Sequence, residues 1–275
     1  ALEELKTDAQ YAPHVLAITG TNGKTTVTAL TGQLLERAGL RVAVAGNIGP
    51  TLLDTLSVAM DQEQSEWPQA WVLELSSFQL DQVDTFAPTA ATVLNVTQDH
   101  LDWHGDMQAY AQAKAHIFGQ HACMVLNRDD AQVMAMLPAP VVKTKASKQT
   151  PREVMRFGAD MPTQNGDWGL ETVNGMTWLV RALDIDDTKR SRVSSESDIY
   201  IQRLLPVDAL RIRGRHNALN AMAALALAST TGAPLAAMLY ALREYRGEPH
   251  RVSSIAVLQD VEYIDDSKGT NVGAT

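Results

Sequence analysis

The sequence predicts an α/β protein: a mostly parallel sheet flanked by helices, with a β-rich insertion and a partial second α/β domain. Three observations predict it. Apolar, β-rich runs at 15–19, 41–45, 70–75, 90–96 and 122–126 are separated by helix-period segments, notably 24–38 and 107–119. That alternation is the signature of βα units and a parallel sheet. The first run passes into a glycine-bracketed turn and a helix start, VLAITGTNGKTT over 15–26. From about 150 to 212 the texture changes, and Asn174-Gly175 stands between LETV and MTWLV as a type I′ hairpin signal.

In chain order, residues 1–14 are polar with Pro13 and read as a linker or short helix leading in from a preceding domain. Residues 15–247 read as the central domain. Its opening strand, loop and helix form a P-loop: such a loop points backbone N–H groups and a helix N-terminus at an anion, and adds a lysine charge and a hydroxyl able to meet Mg²⁺. The residues are Gly20, Thr21, Asn22, Gly23, Lys24, Thr25 and Thr26. The G-x-x-G-K-T spacing is shorter than the general G-x-x-x-x-G-K-[ST], and the plainer alternative is a Gly-Lys turn that opens a helix without a ligand. The ligand class that fits is a nucleoside triphosphate. Further on, 186–197 (DDTKRSRVSSES) is charged and serine-rich and reads as an exposed loop. Helical pattern returns at 216–231 and 234–244, with an Ala-rich core stretch at 218–228. RVSSIAVLQDVEYIDDS reads as two strands about a turn at Gln259-Asp260, so 248–275 is taken as the start of a truncated second domain.

Composition narrows the partners. A chain of 275 residues with 45% hydrophobic content suits one large domain plus a smaller piece. The formal net charge of −9 argues against nucleic acid or an anionic membrane, either of which needs a basic face. Polyphosphate must then meet a local concentration of cations, for which Lys24, Lys114, Arg215, Arg251 and Lys268 are the candidates. Cys123 is the sole cysteine and lies in an apolar run, as suits a buried strand residue in a reducing cytoplasm. No stretch approaches the ~20 apolar residues of a membrane helix, and no signal peptide is visible. The expectation is a monomer, and an excised piece of a longer chain.

Polar residues gather where the apolar runs end, the place where open α/β sheets bind ligands. Gly46-Asn47-Ile48-Gly49 follows the second run, Glu74 closes the third ahead of Ser76 and Ser77, and Thr97-Gln98-Asp99-His100 follows the fourth. A carboxylate at Glu74 is costly unless paired or bound to metal, so a salt-bridged glutamate and a metal ligand are both open. His100 lies among Asp99, Asp102 and His104, either a solvated acidic loop or a site. The His100/His104 spacing lacks the glutamate of H-E-x-x-H, which disfavours zinc proteolysis; oxygen-bound Mg²⁺ with nucleotide phosphates fits better. Lys114 shares the buried-face spacing of Tyr110, Ala113, Ile117 and Phe118, and either snorkels outward or is held with a lowered pKa. Asn217 and Asn220 share a helix face and could bind a base through their amides, or merely cap and face water.

Taken together, GTNGKTT (20–26), GNIG (46–49), LELSSFQL (73–80), NVTQDHLD (95–102), the lysine of YAQAKAHIF, GRHNALNAMAA (214–224), PHR (249–251) and DDSKGTN (265–271) resemble the Mur ligase family over nearly the whole chain. GNIG with LELSSFQL points to the member that adds D-glutamate. The resemblance implies an ATP-dependent ligase of three domains, of which this chain holds the central one and the start of the third. ATP would phosphorylate the alanyl carboxylate of UDP-N-acetylmuramoyl-L-alanine, and the amine of D-glutamate would displace the phosphate. By the same resemblance Lys24 would hold β/γ-phosphates, Thr25 and Glu74 a first Mg²⁺, and His100 a second Mg²⁺ supported by a carbamylated Lys114. Asn47, Ser76 and Ser77 would face the muramoyl-alanine end. Asn217 and Asn220 would meet adenine, Arg251 phosphate, and Asp266 and Lys268 the ribose side. Sister ligases, folylpolyglutamate synthetase, a nucleotide-binding module without ligation, and an inert truncated scaffold are the rival readings. The isolated piece is expected to keep part of the ATP site without ligating.

Overall fold

A computed structural model describes residues 5, 10–83, 85–139, 152–185 and 199–269. The loop expected at 186–197 and most of the 1–14 segment lie outside the described residues. The central unit begins with strand β1 (His14–Thr19), helix α1 (Lys24–Arg37), β2 (Val42–Gly46) and α2 (Leu52–Met60). Next come β3 (Ala70–Glu74), the short α3 (Ser77–Leu80), β4 (Ala90–Val93), the short α4 (Leu101–His104) and α5 (Met107–Ala115). β5 (Cys123–Asn127), α6 (Ala131–Met134) and β6 (Val154–Phe157) complete the parallel part. Three antiparallel strands follow, β7 (Trp168–Val173), β8 (Met176–Asp184) and β9 (Ile199–Pro206). The chain then forms α7 (Arg215–Ser229), α8 (Leu235–Glu244) and a hairpin of β10 (Ser253–Leu258) and β11 (Val261–Asp265).

The first nine strands make one sheet in the order β2-β3-β1-β4-β5-β6-β7-β8-β9. The β-rich 150–212 region extends the main sheet, joined through the Phe157–Trp168 pair. Its β7–β8 turn has positive φ at both Asn174 and Gly175, the backbone a type I′ turn demands. The β10–β11 pair stands as its own two-stranded sheet, its turn at Gln259 and Asp260 also at positive φ.

Parallel strands covered on both faces need apolar side chains in both directions, and these have them. Leu16 and Ile18 of β1, Val72 of β3 and Val125 of β5 join Val27, Leu30 and Leu34 of α1, and the helices α7 and α8, in one core. Ala17, Val93, Met124 and Leu126 face the other way, against Tyr110 of α5 with Ile117 and Phe118 just beyond it. Trp71, Leu73, Ala43 and Ala45 close the same face against α2. α7 has no polar stripe through its middle because it runs between the sheet and its neighbouring helices, with 218 and 221–228 all buried. Cys123 is buried in β5 as its sequence context suggests, and desolvation pushes its thiol up to about 12. Among the described residues no helix is long and apolar enough to cross a membrane.

This packing fixes where a ligand can sit. The chain leaves β1 toward β2 and β3 on one side, then returns across it to β4 on the other. β1 thus marks the reversal of strand order, and the crevice beyond its carboxyl end is the place such sheets bind ligands. Gly46 shapes the adjoining wall. It has φ +121°, and a Cβ there would lie 2.1 Å from the Glu74 carbonyl oxygen. Gly46→Ala should cost about 3 kcal/mol or more, combining backbone strain with a displaced β2–β3 pair. Urea denaturation measures this; an unchanged midpoint would show that the strand end yields without cost.

Candidate functional site

The loop between β1 and α1 is held open by the exit of β4. Asn22 N–H donates to Asn95 Oδ1 at 2.8 Å and Asn95 Nδ2 returns a bond to the Asn22 carbonyl at 3.1 Å. Thr21 N–H donates to the Asn95 carbonyl. The Thr21 hydroxyl donates to the Thr97 carbonyl, accepts from Thr97 N–H and lies 3.2 Å from the Tyr110 hydroxyl. Gly23 precedes α1 at φ +84°, and a Cβ there would lie 2.8 Å from Asn220 Oδ1, so glycine is required for both conformation and space. It offers no side-chain cap, and the first turn of α1 carries no acidic residue. The helix start therefore presents backbone N–H groups and a positive dipole end to an anion.

Two lysines converge on this loop. Lys24 Nζ donates to the carbonyls of Gly20 at 3.0 Å and Thr21 at 2.9 Å. Lys114 Nζ donates to the same Gly20 carbonyl at 3.0 Å, with its amine 4.5 Å from the Tyr110 ring centroid. Lys114 is 1% exposed, so it points into the fold and does not snorkel. Burial, and then the Lys24 charge, lower its amine to about 7. Burial also lowers Lys24, opposed by the charges of Glu74 and Asp99. Two desolvated amines on one carbonyl make a locus that gains from a nearby anion.

Glu74 forms the opposite wall. It is 3% exposed, and its Oε2 has no hydrogen-bond partner. Burial raises its pKa, while the side chains of Thr25 and Asn47 and the charges of Lys24 and Arg251 pull it back. Arg251 reaches in from beyond α8, its Nη2 donating to Thr25 Oγ1 at 2.9 Å. Asn47 is fixed by its N–H bond to the Glu74 carbonyl at 2.7 Å. Among the described residues no three His, Cys, Asp or Glu side chains gather as a protein-only metal cage.

The remaining candidates are more dispersed. His100 has φ +51° and sits at the rim, its ring 4.9 Å from Phe78 and 6.4 Å from Tyr110, with Asp99 at 3.7 Å. Ser76 caps α3 in a reciprocal capping box with Gln79, and buried Ser77 shares a 3.0 Å hydrogen bond with His104 Nε2. Asn217 Nδ2 donates to the Arg213 carbonyl and its Oδ1 accepts from Asn220 Nδ2. Asp266 accepts from Val252 N–H, and Lys268 N–H donates to the His250 carbonyl. These bonds tie Asp266 and Lys268 to the segment carrying Arg251. Sequence reasoning did not single out Asn95 or the Tyr110 hydroxyl, and named His104 only in the His100/His104 spacing, not as a partner of Ser77. Asn95 sits where TVLNV ends, a signal of the kind that flagged Glu74; the other two meet their partners only through tertiary packing.

The family model for the Mur ligase middle domain matches residues 18–228. The UDP-N-acetylmuramoylalanine–D-glutamate ligase of a Polaromonas species is 66% identical over 97% of this chain and 45% of that protein. Its counterpart in Albidiferax ferrireducens is 61% identical over 100% of this chain and 54% of that protein. The chain thus spans about half the length of these curated relatives. Among solved structures, a UDP-N-acetylmuramoylalanyl-D-glutamyl-2,6-diaminopimelate–D-alanyl-D-alanyl ligase from Acinetobacter baumannii superposes with TM-score 0.62 at 21% identity, covering 96% of this chain and 53% of that one. The UDP-N-acetylmuramate-alanine ligase of Thermotoga maritima gives 0.58 at 23% identity, covering 96% and 53%. At those identities the structural likeness speaks for the fold. With the family model covering most of the chain, the chain belongs to the Mur ligase family.

Proposed function

We propose that this chain carries the nucleotide site of an ATP-dependent ligase that joins D-glutamate to UDP-N-acetylmuramoyl-L-alanine in peptidoglycan precursor synthesis. The observation that carries this reading is the convergence of Lys24, Lys114 and Arg251 on the β1–α1 loop, opposite a buried Glu74 with an unpartnered oxygen. The identity to ligases of that name supports the choice of amino acid. Residues 15–247 form the central domain in this reading and 248–275 begin the next. The reading places the enzyme in the cytoplasm as a monomer.

The donor set suits Mg²⁺. One orphaned carboxylate oxygen beside a threonine hydroxyl is an oxygen-only, partial shell, which a hard cation completes with phosphate oxygens and water. Thr25 and Glu74 would hold one ion, and His100 with a carbamylated Lys114 a second. Bound there, Mg²⁺ would offset phosphate charge. The lowered amine of Lys114 supports the modification: its unprotonated nitrogen can add to the carbon of CO₂ and release a proton, leaving an anionic carbamate.

The chain's own side chains do the rest by positioning and electrostatics. Lys24 and the loop N–H groups take the β- and γ-phosphates, Arg251 a phosphate oxygen, Asn217 and Asn220 the adenine, and Asp266 and Lys268 the ribose side. Asn47, Ser76 and Ser77 face the alanyl carboxylate, whose oxygen attacks the γ-phosphorus as the bond to ADP breaks. The D-glutamate amine then attacks the acyl carbon, and phosphate leaves. Holding the acceptor and the amine falls to parts outside this chain.

The test has two arms. The intact enzyme, given ATP, Mg²⁺, UDP-N-acetylmuramoyl-L-alanine and D-glutamate, should form the D-glutamyl product by mass spectrometry, while the 275-residue chain should bind ATP without forming it. Product with another amino acid in preference to D-glutamate would overturn the specificity, and absence of ATP binding would overturn the site. In the intact enzyme Glu74→Ala should raise the Mg²⁺ concentration for half-maximal turnover about tenfold, the scale of one lost ligand or its support. A wild-type Mg²⁺ dependence would make Glu74 structural.

A further inference from the structure

Beyond α8 the chain crosses back to the phosphate loop through 245–252, a segment with unusual backbone. Gly247, His250 and Val252 all have positive φ, and for a β-branched residue such as Val252 this is an outlier that needs outside support. The support begins at Tyr245. Its ring is buried at 3% exposure in the core beneath α1 and α8. Its hydroxyl donates to Glu248 Oε1 at 2.9 Å and lies 3.4 Å from the Thr26 carbonyl oxygen. The Glu248 carbonyl in turn accepts from Arg251 N–H at 3.3 Å and from the Ser253 hydroxyl at 3.3 Å. One residue's hydroxyl therefore stands between the first turn of α1, which carries Thr25 and Thr26, and the turn that aims Arg251 at Thr25.

We propose that Tyr245 is a positioning residue for the phosphate site: through Glu248 it fixes the 245–252 strap so that the Arg251 guanidinium sits on the Thr25 hydroxyl. This rests on the nucleotide-site reading above and assigns a role to two residues that reading does not use. The phenol suits the task. Burial and the neighbouring Glu248 carboxylate push its pKa well above the ordinary tyrosine range, so it stays a donor. Its anchor is rigid, because the aromatic body is packed while only the hydroxyl does the bonding. Arg251 by itself could not hold this geometry, since its side chain has many rotamers and the strap has few backbone bonds of its own.

The experiment is ATP titration of the chain by calorimetry in four forms: wild type, Tyr245→Phe, Arg251→Ala and the double variant, each with its melting temperature. Tyr245→Phe removes only an oxygen and keeps the packed ring. It should weaken ATP binding about five- to tenfold, the scale of one ordinary net hydrogen bond. In the Arg251→Ala background the same change should have no further effect, because the residue it positions is gone. Glu248→Ala should reproduce the loss and Glu248→Gln, which keeps an acceptor oxygen, should largely restore affinity. A merely structural role would give additive losses in the double variant, or losses that follow melting temperature; either result overturns the proposal. So does wild-type affinity in Tyr245→Phe. If the wild-type chain itself binds no ATP, the nucleotide-site reading fails, and this inference falls with it.

Discussion

Lys24→Ala should weaken ATP binding about 10- to 100-fold. The ammonium is held between the Gly20 and Thr21 carbonyls at the mouth of the loop, where its charge faces whatever anion the α1 N-terminus accepts. Charge-assisted hydrogen bonds are worth about 1.5–3 kcal/mol, and each 1.4 kcal/mol is a factor of ten. The substitution has a second consequence. Lys24 is one of the charges that lowers Lys114, so removing it lets the Lys114 amine rise and makes that lysine a better cation. The surviving lysine shares the Gly20 carbonyl and compensates in part, which places the expected loss toward the lower end near pH 7. Toward pH 9, as Lys114 gives up its proton, the loss should grow. Calorimetry at the two pH values measures this, and equal ATP affinity with and without Lys24 would remove the triphosphate assignment altogether.

The sheet and the loop were legible because their signals are local. The first five parallel strands are short apolar runs, as in Ala90–Val93 and Cys123–Asn127, and the long helices α1, α5, α7 and α8 fall on segments of helical period. Asn174-Gly175 gave its hairpin for the same reason. The region after Arg152 was legible as strands but not as part of the main sheet. That union depends on β6 lying parallel beside β5 and on the single Phe157–Trp168 pair, and neither is encoded within a window of sequence. At the site, Glu74 and Lys114 announced themselves as charges in apolar patterns. Tyr245 did not: a tyrosine after an amphipathic helix looks like core, and its partners Thr26 and Glu248 become visible only when α8 lies on α1. Ser76 shows the opposite case. Its serine-then-glutamine spacing is a capping box, a local role present in the sequence beside the substrate role that the family resemblance implies.

Lys114 should be a residue that the fold would be better off without. Its amine titrates near 7 in the folded chain against an ordinary lysine value of 10.5. Between those values the unfolded chain holds a proton that the folded chain does not, so stability rises with pH across that window. The penalty for burying the amine is therefore fully present below about pH 7, shrinks as pH climbs, and is gone above the unfolded value. Lys114→Met keeps the length and the apolar stem among Tyr110, Ala113 and Ile117 while removing the charge. The lost hydrogen bond leaves no orphan, because the Gly20 carbonyl still accepts from Lys24. The variant should melt several degrees above wild type at pH 6, with the difference fading toward pH 10. In the intact enzyme it should lower ligation on the order of 1,000-fold, since methionine can neither carry a carbamate nor face the phosphates with a charge. Such an opposition of stability and activity is the mark of a group retained for chemistry. Thermal melts across pH, paired with product formation by the intact enzyme, decide it. A stability difference that does not depend on pH would show that the amine is not the buried, titrating group described, and ligation at the wild-type rate would show that the reaction does not use it.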